Sequence, residues 1–196
     1  MEQAHRVLST AFEPFGAASV NTSLEVQRRL SDRISSWQVT KVTLPVVFGR
    51  AAAEALRHPA DFIVLLGEAG KRTAVTPELN AKNVRNARIP DNAGGQPMQE
   101  VILPGGLAMY HTAVPVERIV EQMQAEGFEI AVYDDAGTFV CNDTYYLVGT
   151  ASRIPVVFVH VPAIPAQADA YAGTVCRFIE IAAALTMQRS PTSSLF

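Results

Sequence analysis

Short apolar runs alternate along the chain with stretches whose apolar residues recur at helical spacing, the pattern of a layered α/β domain. Arg6–Phe12 is predicted as a first strand that ends in the turn Glu13-Pro14-Phe15-Gly16. A helix is predicted from about Thr22, where Thr22-x-x-Glu25 reads as a capping box and Leu24, Leu30 and Ile34 form a rough stripe. Gln38–Leu44 alternates and is predicted as a strand near a sheet edge. Ala51–Arg57 reads as a short helix halted by His58-Pro59, and Asp61–Leu66, apolar on both faces, as a central strand. Val116–Ala125 is predicted as a helix stopped by Gly127, followed by a fourth strand at Phe128–Tyr133. A further helix is predicted to begin near Phe139–Asn142. Pro155–Val161 follows as a fifth strand and Asp169–Met187 as a final helix, with Val175, Phe178, Ile179, Ala182 and Leu185 on its apolar face.

Residues 68–115 break this rhythm with many Pro, Gly and Asn residues, and an irregular insert of that length inside a compact domain is usually functional or mobile. The expected fold is therefore a single three-layer α/β/α domain over residues 1–188, with a mostly parallel central sheet and a long active-site insert. A loose tail is expected at 189–196.

Length and composition narrow the function classes. A chain of 196 residues suits one well-cored domain, and 48% hydrophobic with 18% charged residues excludes a disordered or fibrous protein. The net charge of -3 and the scattered basic residues give no footprint for nucleic acid or an anionic membrane. The one basic cluster, Arg28, Arg29 and Arg33, reads as the wet face of a helix. The longest apolar runs, Phe62–Leu66 and Pro155–Val161, fall far below the roughly 18 residues of a membrane span. Met1–Ala11 has no apolar segment of signal-peptide length. Cys141 and Cys176 make neither a disulfide framework nor a zinc ligand set, so a reducing cytoplasm is the expected compartment, with no metal and no cofactor.

In open α/β sheets ligands bind beyond the carboxyl ends of the strands. Three candidates fall at such places. Cys141 follows the predicted strand ending near Tyr133 and opens a helix, where the backbone dipole is expected to lower its pKa and free N–H groups could hold an oxyanion. Taken alone, a cysteine is more often a small buried hydrophobe. His160 closes a buried strand and is either a general base or a structural imidazole, with His111 a weaker alternative base. Thr76-Pro77-Glu78 reads as a helix opening; the functional reading makes Glu78 the carboxylate that orients His160. Gly67-Glu68-Ala69-Gly70-Lys71-Arg72-Thr73 lacks the first glycine of a P-loop, no G-x-S-x-G elbow occurs, and no His pair has metal spacing.

Five segments in order resemble the pyroglutamyl peptidase family of cysteine peptidases: Ala11-Phe12-Glu13-Pro14-Phe15-Gly16 with Asn21-Thr22-Ser23; Thr76-Pro77-Glu78 with Ala81-x-Asn83; Ala87-Arg88-Ile89-Pro90-Asp91-Asn92-x-Gly94; Gly137-Thr138-Phe139-Val140-Cys141-Asn142; and Phe158-Val159-His160-Val161-Pro162. Together they span roughly residues 6 to 185. The resemblance implies a metal-free Cys141–His160–Glu78 triad, with peptides bearing N-terminal pyroglutamate as substrates and a homo-oligomer, often a tetramer, as the assembly. It also implies a ring pocket from Phe12, Phe15, Ile89, Phe139 and Val140, with Arg88 near the oxyanion and Asn21 near the substrate.

The chain departs from the family pattern where Glu68 and Lys71 replace Gln and Gly in Gly-Gln-Ala-Gly-Gly-Arg. Glu68 lies close to the ring pocket, where a carboxylate accepts but does not donate, and Lys71 is a candidate to neutralise it. Ala11 and Ala17 stand at usual glycines, Pro104-Gly105-Gly106 replaces a Gly-Pro, and His111-Thr112-Ala113 is unusual. Two alternatives stay open: a cysteine amidase acting on another small amide or lactam, and a catalytically silent binding homologue.

Overall fold

The computed structural model describes residues 5–187, so the tail expected at 189–196 lies outside the described residues. The main sheet is built from β1 (Arg6–Phe12), β2 (Arg33–Ile34), β3 (Trp37–Leu44), β4 (Phe62–Ala69), β5 (Thr76–Glu78) and β8 (Val156–Pro162) in the order β2-β3-β1-β4-β8-β5. The four long strands β3, β1, β4 and β8 run parallel, and the short edges β2 and β5 run antiparallel. Two insert strands, β6 (Asn80–Lys82) and β7 (Met109–His111), pair in a separate ribbon.

Alternation along the long strands divides the core in two. Val7, Phe62, Val64, Leu66, Val157 and Val159 face one way. They pack against α1 (Thr22–Arg29), α3 (Val116–Ala125) and α5 (Ala168–Met187). Leu8, Ile63, Leu65, Val156 and Phe158 face α2 (Arg50–Ala55) and α4 (Val140–Ala151) on the other side. A sheet covered on both faces needs strands with near-continuous apolar runs, and β4 over Phe62–Leu66 and β8 over Val156–Val159 have them, with the polar Glu68 and His160 only toward their carboxyl ends. The three-layer architecture expected from the pattern is present. No helix among the described residues is long and apolar enough to cross a membrane.

Several local expectations are corrected. Thr76-Pro77-Glu78 does not open a helix; it is the edge strand β5. Proline pushes the preceding residue toward extended backbone and is tolerated at sheet edges. Phe128–Tyr133 forms only isolated parallel bridges to β5 and the residue before it, at Glu78↔Tyr133 and Val75↔Ile130. Its backbone bonds run from Ala131 N–H to the Val75 carbonyl, Tyr133 N–H to Pro77, and Leu79 N–H to Tyr133. The missing rung is the one Pro77 would donate, so the same residue that made the segment look helical also interrupts this ladder.

The N-cap of α1 is Asn21, whose Oδ1 accepts from Ser23 N–H at 3.0 Å; Thr22 is the first helical residue and Glu25 pairs with Arg28 and Arg29 instead of closing a capping box. Arg33 belongs to β2 rather than to the helix.

The insert is anchored to α4 by two buried side chains. Asn142 accepts from Lys82 N–H at 2.7 Å and donates to the Lys82 and Val84 carbonyls at 2.9 and 3.0 Å. Asp143, fully buried, accepts from Gly49 N–H at 2.7 Å and from Arg85. Burial pushes the Asp143 carboxyl up, and these donors oppose the shift. Asp143→Ala leaves the largely buried Arg85 without its inner partner and should cost about 3 kcal/mol, read as a lowered midpoint in urea unfolding. An unchanged midpoint would show that the insert is held without this pair.

Candidate active site

The carboxyl ends of β1, β4 and β8 meet the amino end of α4 at a cavity of about 150 Å³. Its apolar wall comes from Phe12, Phe15, Val46, Ala136, Phe139 and Val140, and its polar groups from Asn21, Glu68, Cys141 and His160. Val46 and Ala136 carry no sequence signal for this place, because they lie in loops between predicted elements; Gly137 and Thr138 belong to the motif that ends in Cys141-Asn142.

His160 sits on β8 between two strands, its backbone aligned with Gly67 of β4 on one side and Thr76 of β5 on the other. Its Nδ1 bonds Glu78 Oε1 at 2.8 Å. Both side chains are buried, Glu78 completely. Since Nδ1 is engaged, Nε2 is the nitrogen left for chemistry in the cavity. The same Glu78 oxygen accepts from Arg72 Nη2 at 3.0 Å, while Oε2 is buried without a partner. Arg72 also donates to the Asp135 carbonyl at 3.2 Å and lies 3.1 Å over the Tyr133 ring. Tyr145 of α4 donates its hydroxyl to the Glu78 carbonyl at 2.9 Å. Arg72 and Tyr145 escaped sequence reasoning because each reaches Glu78 from a different element.

Cys141 stands in the first turn of α4 and lines the same cavity as His160, with no hydrogen bond between the two side chains. The N-cap, Phe139, has no side chain able to bond the first-turn N–H groups, so these stay available beside the sulfur. The thiol does not follow the dipole expectation. Burial, then the negative charge of Glu78 and more weakly that of Glu68, push it up to about 12 against an opposing bond from its own backbone N–H. The neutral thiol is the favoured form.

Glu68 lines the cavity and its Oε2 accepts from Thr22 N–H, the first turn of α1, at 2.6 Å. A carboxylate is stabilised there by the helix dipole, which accounts for an acid at this place. Lys71 does not neutralise it: it is exposed and forms no ion pair with any described residue. Asn21 lines the cavity with its amide already engaged, by Ser23 and by the Glu13 carbonyl at 3.1 Å.

Phe15 and Phe139 meet at 5.9 Å, and Phe12 lies against Phe158 at 6.4 Å. Arg88 and Ile89 are not brought to the cavity; both are exposed, and Ile89 packs toward Gly16. His111 is exposed on β7, bonded to Asn80, and lines no part of the cavity. No group of three His, Cys, Asp or Glu able to hold a metal ion occurs among the described residues.

A family model described as pyroglutamyl peptidase matches residues 5–187. The chain belongs to the pyroglutamyl peptidase family. Within it, the chain is 43% identical over 179 residues to the pyrrolidone-carboxylate peptidase of Gloeobacter violaceus, covering 86% of each. It is 43% identical over 172 residues to that of Bacillus amyloliquefaciens, covering 83% of this chain and 80% of the relative. The crystal structure of the Bacillus amyloliquefaciens pyroglutamyl peptidase I superposes with a TM-score of 0.84 at 38% identity, over 92% of this chain and 97% of that one. The Thermococcus litoralis pyrrolidone carboxyl peptidase superposes with a TM-score of 0.88 at 26% identity, over 98% and 100%.

Two outcomes test the geometry. A Cβ at Gly67 would stand 2.6 Å from Phe158 Cζ and 3.0 Å from Cys141 Sγ. Gly67→Ala should therefore cost about 1–3 kcal/mol by overpacking, seen in thermal melting, and should displace the thiol. Glu68→Gln removes one of the charges that raises the thiol's pKa, so the pH profile of Cys141 alkylation should move to lower pH; a shift upward would refute the charge assignment.

Proposed function

We propose that this chain is a cysteine peptidase that removes N-terminal pyroglutamyl residues from peptides, with Cys141 as nucleophile, His160 as base and then acid, and Glu78 as the carboxylate that orients the imidazole. The observation that carries this reading is the buried 2.8 Å bond between Glu78 and His160 Nδ1, made in a family member whose Cys141 shares a cavity with His160. A pyroglutamyl residue carries no ammonium group, and a small, mostly apolar cavity with a few polar groups suits its lactam ring.

The chemistry follows from a neutral thiol. As Cys141 Sγ bonds the pyroglutamyl carbonyl carbon, its proton passes to His160 Nε2, and Glu78 stabilises the imidazolium formed. First-turn N–H groups of α4 receive the developing oxyanion. The imidazolium returns the proton to the departing amine nitrogen as the C–N bond breaks, leaving a thioester. Water then attacks that carbonyl, gives its proton to His160, and the C–S bond breaks with the proton restored to sulfur.

Glu68 enters as an acceptor for the ring N–H, since its Oε2 already holds Thr22 and a carboxylate has further lone pairs. Arg88 and Ile89 would act only if the exposed segment that carries them moves over bound substrate. A cytoplasmic homo-oligomer, a tetramer by resemblance, completes the reading. Two free cysteines support a reducing compartment, and the exposed Met98 and Leu107 on the insert support a covered surface.

Hydrolysis of a pyroglutamyl-coumarin substrate tests the proposal. Cys141→Ala should reduce turnover to background, and His160→Ala should lower kcat by about 100-fold to 10,000-fold with the fold preserved by circular dichroism. Full activity in the alanine variant of Cys141, or preference for an alanyl or prolyl group with a free amine over pyroglutamyl, would overturn it.

A further inference from the structure

A second cavity, about 620 Å³ and open to solvent, lies beside the first, with Lys71, Arg72, Thr73, Tyr133 and Asp135 on its walls. Gly137 lines both cavities, so the two adjoin four residues ahead of Cys141. With φ at +85° and nothing within 4 Å of where a Cβ would stand, Gly137 puts no side chain between them.

The charges on this groove do not cancel. Arg72 is matched by Glu78 at 3.0 Å. Asp135 is matched by Lys82 Nζ at 2.7 Å and also accepts from Gly137 N–H at 2.9 Å; burial works against its ionisation, but these donors together hold its carboxyl below the usual range. Glu68 lines the ring cavity and not the groove, and its Oε2 is bound to the start of α1. Lys71 alone remains, exposed and without an ion-pair partner among the described residues. A strongly hydrated cation on a flexible stem, beside the place where a peptide leaves the nucleophile, is suited to an anionic group on that peptide.

We propose that this groove receives the leaving peptide and that Lys71 binds an anionic group on it, the C-terminal carboxylate of a short pyroglutamyl peptide. The inference rests on the peptidase reading and adds to it a substrate class, pyroglutamyl di- and tripeptides with free carboxyl ends. An extended chain advances roughly 3.5 Å per residue, so only carboxylates one or two residues past the scissile bond stay near the shared wall. An exposed ion pair contributes about 0.2–1 kcal/mol, which corresponds to a preference of about 1.5-fold to 5-fold.

The test compares kcat/KM for pyroglutamyl-alanine and pyroglutamyl-alanyl-alanine, each as the free acid and as the C-terminal amide, at low and high ionic strength. The wild-type protein should favour the acid of at least one length by about 1.5-fold to 5-fold at low salt, and the preference should shrink as salt screens it. Lys71→Ala should bring the acid-to-amide ratio to about one, Lys71→Glu should invert it, and Lys71→Arg should retain it. Equal rates for acid and amide at both lengths in the wild-type protein, or a preference that survives Lys71→Ala, would overturn the proposal. If the wild-type protein cleaves none of these substrates and no pyroglutamyl-coumarin, the peptidase reading falls and takes this subsite with it.

Discussion

The site depends on one buried bond, Glu78 to His160, made across the junction of β5 and β8. A carboxylate with no exposed surface is costly unless its lone pairs are met, and here one oxygen serves both an imidazole and a guanidinium while the other has no partner. The surrounding structure maintains this arrangement. Arg72 is clamped over Tyr133, Tyr145 holds the Glu78 backbone, and β5 lies along β8 so that its residues face the strand that carries the imidazole.

That arrangement also bears on the Cys141 thiol. Burial first, then the charges of Glu78 and Glu68, favour S–H over thiolate, against a bond from the residue's own backbone N–H. In the proposed reaction the imidazole accepts the proton as the bond to carbon forms, so the positioning of His160 by Glu78 matters more than the acidity of the thiol.

Most of the architecture was legible because the long strands announce their burial: β4 and β8 are apolar at successive positions, and α5 carries its face at helical spacing. The ordered motifs placed Cys141, His160, Glu78 and the phenylalanines. What escaped the reading depends on tertiary context. Pro77 gives the same local cue at a helix start and on an edge strand, and only the neighbouring β8 decides between them. Thr22 carries the cap signal in sequence but Asn21 is the cap, and Glu68, forty-six residues away from Thr22, takes the Thr22 N–H that a capping box would have used. Arg88 lies within a recognisable motif, yet its segment stands in solvent.

Gly67 brings the backbone of β4 against both the Phe158 ring and the sulfur of Cys141. The Cys141 sulfur therefore packs against the central sheet, and no residue of 69–115 lines its cavity. The irregular stretch can drift in sequence without carrying the sulfur along, so evolutionary drift there is decoupled from the seat of the thiol.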